Sequence, residues 1–245
     1  MKKQGPIMGI KDFFNKLFGF GQNTPSGKNF SDAYYPPKQA IRLIKTAEPH
    51  ISKFGGKPNL PDSIPWPETP EGYEMDFIAQ IHFPEVPAGF GLPDSGTLFL
   101  FYDTDVHPWG VDEEDCNYWK IIYTEEKLPE NQRERTRVPF PSETEFYDVY
   151  EAYYKEKFLT FEIFTSRASD AENFGEEEGQ HQMLGYPLYI QDEEMEPGYE
   201  LLLQIDCDDD LLFSWGDCGR LFFWIKPEDL TAKRFDDLKF FLDSH

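Results

Sequence analysis

Phe77-Ile78-Ala79-Gln80-Ile81 is followed, after a proline-rich interval, by Gly96-Thr97-Leu98-Phe99-Leu100-Phe101-Tyr102. About half a chain later, Leu201-Leu202-Leu203-Gln204-Ile205 is followed by Gly219-Arg220-Leu221-Phe222-Phe223-Trp224. A Gly-x-Pro element precedes each pair, Gly56-Lys57-Pro58 in the first half and Gly185-Tyr186-Pro187 in the second. The three offsets are 129, 124 and 123 residues, so the register barely drifts. This recurrence predicts an internal duplication. The expected fold is α+β, with two pseudo-repeated, mainly antiparallel β units packed together and decorated by a few short helices. On this reading residues 1–28 are a basic amphipathic segment with a linker, 29–165 a first half and 166–245 a second.

The bulk composition supports a folded chain rich in turns. Its 245 residues suffice for a substantial core, and 17% aromatic residues supply the burial that a highly charged chain otherwise lacks. Twenty prolines and 18 glycines favour short strands over long helices. No apolar run approaches the roughly 20 residues needed to cross a bilayer.

The formal charge is −23, and it is unevenly spread. Residues 101–200 carry 26 acidic against eight basic side chains, a balance of −18. Such a surface repels phosphate backbones, which argues against nucleic-acid binding, and steers a basic protein partner toward it. A surface that only keeps the chain in solution is the plainer alternative. Residues 1–28 have the opposite sign, +4. There Ile10, Phe13, Phe14, Leu17 and Phe18 fall on one stripe of a short helix. Weak membrane-surface contact through residues 8–20 is one reading of that stripe, and a helix capping a core is the other.

Ahead of the first signature, Ala40, Ile41, Leu43 and Ile44 suggest a short helix over residues 36–47. Phe77 to Phe83, Leu98 to Tyr102, Trp119 to Tyr123 and Phe158 to Phe164 read as strands. A capping-box pattern at Ser142 and Glu145, with Phe146, Val149, Tyr150, Tyr153 and Tyr154 behind it, predicts a helix to about Lys157. Leu188 to Gln191, Leu201 to Asp206, Leu211 to Trp215 and Gly219 to Ile225 read as strands, and Pro227 with Glu228 and Asp229 opens a short helix.

Three cysteines without a CxxC pair, and five histidines without HxxxH spacing, indicate neither a disulfide framework nor a familiar zinc site. A reducing, cytoplasmic location is the simpler assumption. Phosphate-binding glycine loops and nucleophile elbows do not occur, so no catalytic residues are selected; the reading leans toward a noncatalytic protein and leaves an enzyme open as the alternative. The candidate ligand-binding residues are Gln80, Gln204, Trp215 and Asp217. An amide on an apolar strand must find partners, and these four would line a cleft between the halves, serving a small-ligand or cation binder or an enzyme. The plainer reading has each glutamine satisfying the backbone of a nearby turn. Asp206, Asp208, Asp210 and Asp217 have carboxylate spacing resembling a calcium loop, but Leu211 stands where the loop needs glycine, so Ca2+ is a secondary expectation and no other cofactor is implied.

The stretches Gly55 to Pro61 with Trp66-Pro67, Phe77 to Ile81, Leu184 to Pro187, Leu201 to Asp210 and Trp215 to Ile225 together resemble the YwqG-like family of bacterial proteins of unknown function. The resemblance covers about residues 50–230. It implies a bacterial cytoplasmic α+β protein and carries over no catalytic residue. The leading functional expectation, from the acidic central region and the missing catalytic signature, is a noncatalytic interaction protein that binds a basic partner; the likeness of some members to components of toxin–immunity gene neighbourhoods adds an immunity-like variant of it.

Overall fold

In the computed structural model the described residues are 34–136, 154–172, 179–191 and 196–245. All of them belong to one compact unit, residues 31–245. Ten strands carry the architecture: β1 (Lys38–Thr46), β2 (Lys53–Phe54), β3 (Asp76–His82), β4 (Thr97–Tyr102), β5 (Trp119–Thr124), β6 (Lys157–Ser166), β7 (Gln182–Met183), β8 (Glu200–Asp206), β9 (Arg220–Ile225) and β10 (Lys239–Asp243). Among the described residues the one α-helix is α1 (Pro227–Thr231), with three short 3₁₀ turns besides.

All ten strands form one sheet in the order β10-β9-β8-β7-β1-β6-β2-β3-β4-β5, and every pairing is antiparallel. This overturns the expected α+β fold of two pseudo-repeated units packed together. The pairing at the centre shows why. Short β2 hydrogen-bonds to β6, and short β7 to β1, so each outer run of strands is attached to a strand from the other part of the chain. Neither half could detach without breaking the ladder. β1 and β6 pair along nine positions, from Lys38 opposite Ser166 to Thr46 opposite Phe158.

The residues read as a helix over 36–47 therefore build a central strand. Ala40, Ile41, Leu43 and Ile44 are too few to settle a period, and burial beside β6 and β7 decides it. The helix expected from Ser142 lies outside the described residues up to position 153, and Lys157 already opens β6. Leu188 to Gln191 is irregular, and Leu211 to Trp215 is a tight turn closed by an Asp208–Phe213 bridge. The strands expected around Phe77, Leu98, Trp119, Phe158, Leu201 and Gly219 are all present.

Strand alternation sorts side chains onto two faces. Leu98, Leu100 and Tyr102 of β4 share the main core with Leu221, Phe223 and Ile225 of β9. Ring contacts join the two outer runs across that face, Tyr102 to Trp215 at 5.5 Å and Trp119 to Phe223 at 5.5 Å, so the sheet curls around a common interior. The opposite face is covered by loops. Phe77, Phe99 and Phe101 pack under Leu60, Trp66 and Met75 of the proline-rich segment, whose Trp66 indole donates to the Met75 carbonyl at 2.9 Å. Leu201, Phe222 and Trp224 pack with Tyr189. Each such ring contributes about 1.5–3 kcal/mol by leaving water.

The glycine that opens each signature sits where a side chain cannot. Gly96 has φ +79°, and a Cβ there would lie 2.7 Å from the Thr124 carbonyl oxygen. At Gly219 it would lie 2.3 Å from the Trp215 carbonyl oxygen.

Candidate functional site: an acidic loop end with exposed apolar side chains

Gln80 and Gln204 are fully buried on the loop-covered face. Oε1 of Gln80 accepts the Asn59 N–H at 2.8 Å, and its Nε2 donates to the Ile51 carbonyl at 2.9 Å. Oε1 of Gln204 accepts the Leu188 N–H at 2.9 Å, and its Nε2 donates to the Gln180 carbonyl at 2.5 Å. Both amides are thus engaged by the loop that precedes their strand. β3 and β8 stand five strand steps apart in the sheet order, about 24 Å at the usual spacing, so the two glutamines are not brought together. Trp215 is fully buried in the main core, with its indole N–H on the Asp206 carbonyl at 3.0 Å, while Asp217 is exposed.

The carboxylate cluster is divided in the same way. Asp206 is buried against Arg220, whose Nε donates to it at 2.9 Å. Asp208 is buried, accepting from Lys45 Nζ at 2.5 Å, from His181 Nε2 at 3.1 Å and from the Asp210 N–H at 2.9 Å. His181 Nδ1 accepts the Asp206 N–H at 3.1 Å, which leaves the ring proton on Nε2 for Asp208. Burial alone would push the Asp208 carboxyl up, but the His181 and Lys45 hydrogen bonds overcome it and hold the group well below the usual carboxylate range. Asp209, Asp210 and Asp217 face water. Among the described residues no group of three or more His, Cys, Asp or Glu side chains is arranged to hold a metal ion.

What the chain does assemble is a loop end that sequence reasoning did not single out. As β4 leaves the sheet, Asp103 Oδ1 accepts the N–H groups of Asp105 at 2.9 Å and Val106 at 2.8 Å. Asp115 Oδ2 accepts those of Gly110, Val111 and Asp112 at 2.7, 3.1 and 3.3 Å. Between these two anchors His107 takes φ +50°, an uncommon conformation for a side chain with a Cβ. The backbone is pinned at both ends, and Val106 and Trp109 are left outside, 50% and 41% exposed.

A second loop abuts the first. Asp208 and Phe213 exchange two backbone hydrogen bonds of 3.0 Å, which throws Leu212 outward at φ +64° with 47% exposure. His107 Nε2 lies 3.3 Å from the Ser214 carbonyl oxygen, and a Cβ on Gly216 would lie 3.8 Å from the Trp109 ring. The Leu242 N–H donates to the Trp109 carbonyl at 3.0 Å, and the His245 N–H to that of Asp217 at 3.2 Å. Three of the eight exposed large hydrophobic residues among those described therefore sit on two loops that touch.

Carboxylates share these loops. Asp105, Asp112, Glu113, Glu114, Asp209, Asp210 and Asp217 belong to the same loops. Behind Asp105, Asp76 is held by Arg135 at 2.5 Å and by the Thr104 hydroxyl. Desolvation raises the Asp103 carboxyl above the ordinary range, and desolvation followed by the Asp76 charge raises that of Asp105. Negative charge is crowded here and incompletely neutralised, so an arriving cation finds favourable potential beside apolar surface.

The sequence held a signal for the first loop, Asp103-Thr104-Asp105-Val106-His107-Pro108-Trp109-Gly110, where turn chemistry brackets a tryptophan. A shallow depression of about 420 Å³ between Pro61–Ser63 and residues 126–130 contains none of these groups. No helix among the described residues is long and apolar enough to cross a membrane. No curated protein matches the chain. The model of one family, described as a domain of unknown function (DUF1963), matches residues 52–244, from the approach to β2 to the end of β10, and the chain belongs to that family.

Proposed function

We propose that this is a noncatalytic interaction protein that docks a basic segment of a partner protein on the acidic loop end. The observation that carries the reading is the exposure of Val106, Trp109 and Leu212 among carboxylates, on loops that aspartates and left-handed residues hold in place. A preorganised apolar patch with an acidic rim suits an aromatic or aliphatic anchor flanked by Lys or Arg. Three cysteines outside any disulfide, two of them exposed, fit a reducing compartment such as a bacterial cytoplasm. An immunity-like role would use the same chemistry, since many targets of acidic inhibitors are basic.

The test is fluorescence anisotropy with a labelled peptide of alternating leucine and lysine, at low and at moderate salt, on the full chain. Binding should weaken with salt, and combined V106A and W109A should cost about tenfold in affinity, while the distant Tyr34→Ala should cost nothing. Equal affinity for the wild type and the double variant would refute the loop-end reading.

A further inference from the structure

We propose that β6 carries a second docking site, an open strand edge that accepts an extended basic segment by strand addition. It extends the reading of this protein as a binder of basic partners to a different surface.

β1 covers one edge of β6 along residues 158–166. On the other edge β2 covers only Lys157 and Phe158, and the Leu159 N–H reaches the Ser52 carbonyl at 2.9 Å. Backbone N–H and C=O groups alternate direction along a strand, so Phe161, Ile163 and Thr165 point the same way as Leu159. Among the described residues their backbone groups meet no partner on that side. Glu162, Ile163 and Thr165 are exposed, Ile163 at 49%.

The opening has an identifiable cause. The chain entering β2 would continue along β6, but the Glu85 carboxylate accepts the N–H groups of Ile51 and Ser52 at 2.9 and 2.8 Å, and Gln80 Nε2 takes the Ile51 carbonyl at 2.9 Å. These bonds draw residue 51 toward β3, so Ser52, whose carbonyl still meets the Leu159 N–H, is the last residue to follow β6. The corresponding edge of β1 is short, because β1 ends at Thr46 and Lys45 is spent on Asp208.

Strand edges left open in folded proteins are ordinarily blunted by proline, lysine or a bulge. Thr160-Phe161-Glu162-Ile163-Phe164-Thr165-Ser166 contains none of these, and its one charged side chain is Glu162. Arg42, opposite Glu162 on β1, stacks over the Phe164 ring at 4.6 Å, and Glu162 has no ion pair among the described residues. An occupant paired with this edge would set one residue beside Glu162, where a cation fits, and its neighbours beside Phe161 and Ile163, where apolar side chains fit. The charge of −23 disfavours a second copy of this chain and favours a basic segment.

The experiment is residue-resolved amide exchange on the full chain with a nine-residue peptide alternating valine and lysine. Bound peptide should slow exchange at Phe161, Ile163 and Thr165, and leave Glu162 and Phe164, already paired to β1, unchanged. Methylating alternate peptide nitrogens should weaken binding about tenfold, as expected for the loss of about two hydrogen bonds. Glu162→Lys should weaken it about threefold and favour a valine–glutamate peptide instead. W109A should leave the protection intact. Unchanged exchange at the three amides with peptide in large excess overturns the edge site, whether or not residues 105–110 become protected. Protection at β6 combined with indifference of all binding to V106A and W109A upholds the edge site and removes the loop-end reading.

Discussion

The runs of strands carrying Gln80 and Gln204 hold their loops by the same hydrogen bonds, yet they fill the neighbouring positions with opposite chemistry. Beside Gln80, Ser52 Oγ accepts the His82 N–H at 2.9 Å, and the His82 ring meets the Thr97 hydroxyl at 2.9 Å. Beside Gln204, His181 Nδ1 accepts the Asp206 N–H, and the Asp206 side chain pairs with Arg220. A neutral pair in one run thus stands where the other has a buried ion pair. At the short strands the order is reversed. Lys53 Nζ donates to the Lys57 carbonyl and to Glu156, whereas Gln182 Nε2 donates to the Leu184 and Tyr186 carbonyls. Loop attachment constrains the geometry, and either charged or neutral donors can meet it. What differs is the consequence of removing one partner.

The largest effect is therefore expected where both charges are buried. Arg220→Ala strands the Asp206 carboxylate, itself 2% exposed, and orphans the Leu188 carbonyl that Arg220 Nη1 also reaches. It should cost about 3–5 kcal/mol in urea denaturation, against about 1 kcal/mol for Thr97→Val in the other run. Replacing both partners, D206N with R220M, should recover most of the loss, because the cost comes from the unpaired charge. Equal losses for R220A and T97V would mean that the charge difference between the runs is of no consequence.

Next come the glutamines themselves. Gln80→Ala and Gln204→Ala each leave a loop N–H and a loop carbonyl without their partner, and each should cost about 2–4 kcal/mol. Since they lie five strands apart, the double variant should show additive losses within about 0.5 kcal/mol. A large coupling energy would show that the two runs unfold less independently than their separate loops suggest. Q80A alone should also release the Ile51 carbonyl, and exchange at the Ile51 and Ser52 amides should rise with it.

These matched bonds were partly legible in the sequence, because a glutamine amid apolar residues needs partners and each has a Gly-x-Pro loop upstream. The four strands β3, β4, β8 and β9 were legible for the same reason, as apolar runs bounded by turns. The exchange at the centre was not. Ile41 pairs with Ile163 and Met183, residues more than a hundred positions away, and nothing near Ile41 specifies that neighbour. Lacking it, Ala40 to Ile44 fits a helical period as well as a strand. Trp109 and Trp215 pose the parallel difficulty for the site. Both stand beside glycine and near aspartate, yet one is 41% exposed and the other fully buried, and only the tertiary anchors of the two loops separate them.

Aspartates 103 and 208 allow a finer comparison, because their carboxyls are displaced in opposite directions. Asp208 is lowered from 3.8, so its stabilisation is fully present above that pH and is lost as pH falls through the folded value. Asp103 is raised from 3.8 by desolvation, so its ionisation opposes folding as pH climbs from there through the raised value. Asp208→Asn should accordingly destabilise at neutral pH, with the difference from wild type shrinking in acid. Asp103→Asn keeps an acceptor for the Asp105 and Val106 N–H groups, and it should stabilise at neutral pH with no gain in strong acid. Thermal denaturation across the acid range would show the two difference curves with opposite slope; curves of the same sign would contradict the assigned burial of Asp103.

The smallest stability effect belongs to the surface on which the proposed function rests, and its smallness is informative. Trp109 keeps its backbone bond to Leu242 whatever its side chain, and Asp103 and Asp115 hold the loop through main-chain N–H groups. W109A should then change stability by no more than about 1 kcal/mol, since the ring is 41% exposed and rests on loops rather than in the main core. A core tryptophan such as Trp215, whose ring packs on Tyr102 and Phe213, should cost about 3–5 kcal/mol when cut to alanine. If W109A proved nearly as damaging as W215A, Trp109 would be a structural ring that only borders solvent. If it leaves stability untouched and removes basic-peptide binding, the exposed indole is held outside the core for contact with a partner.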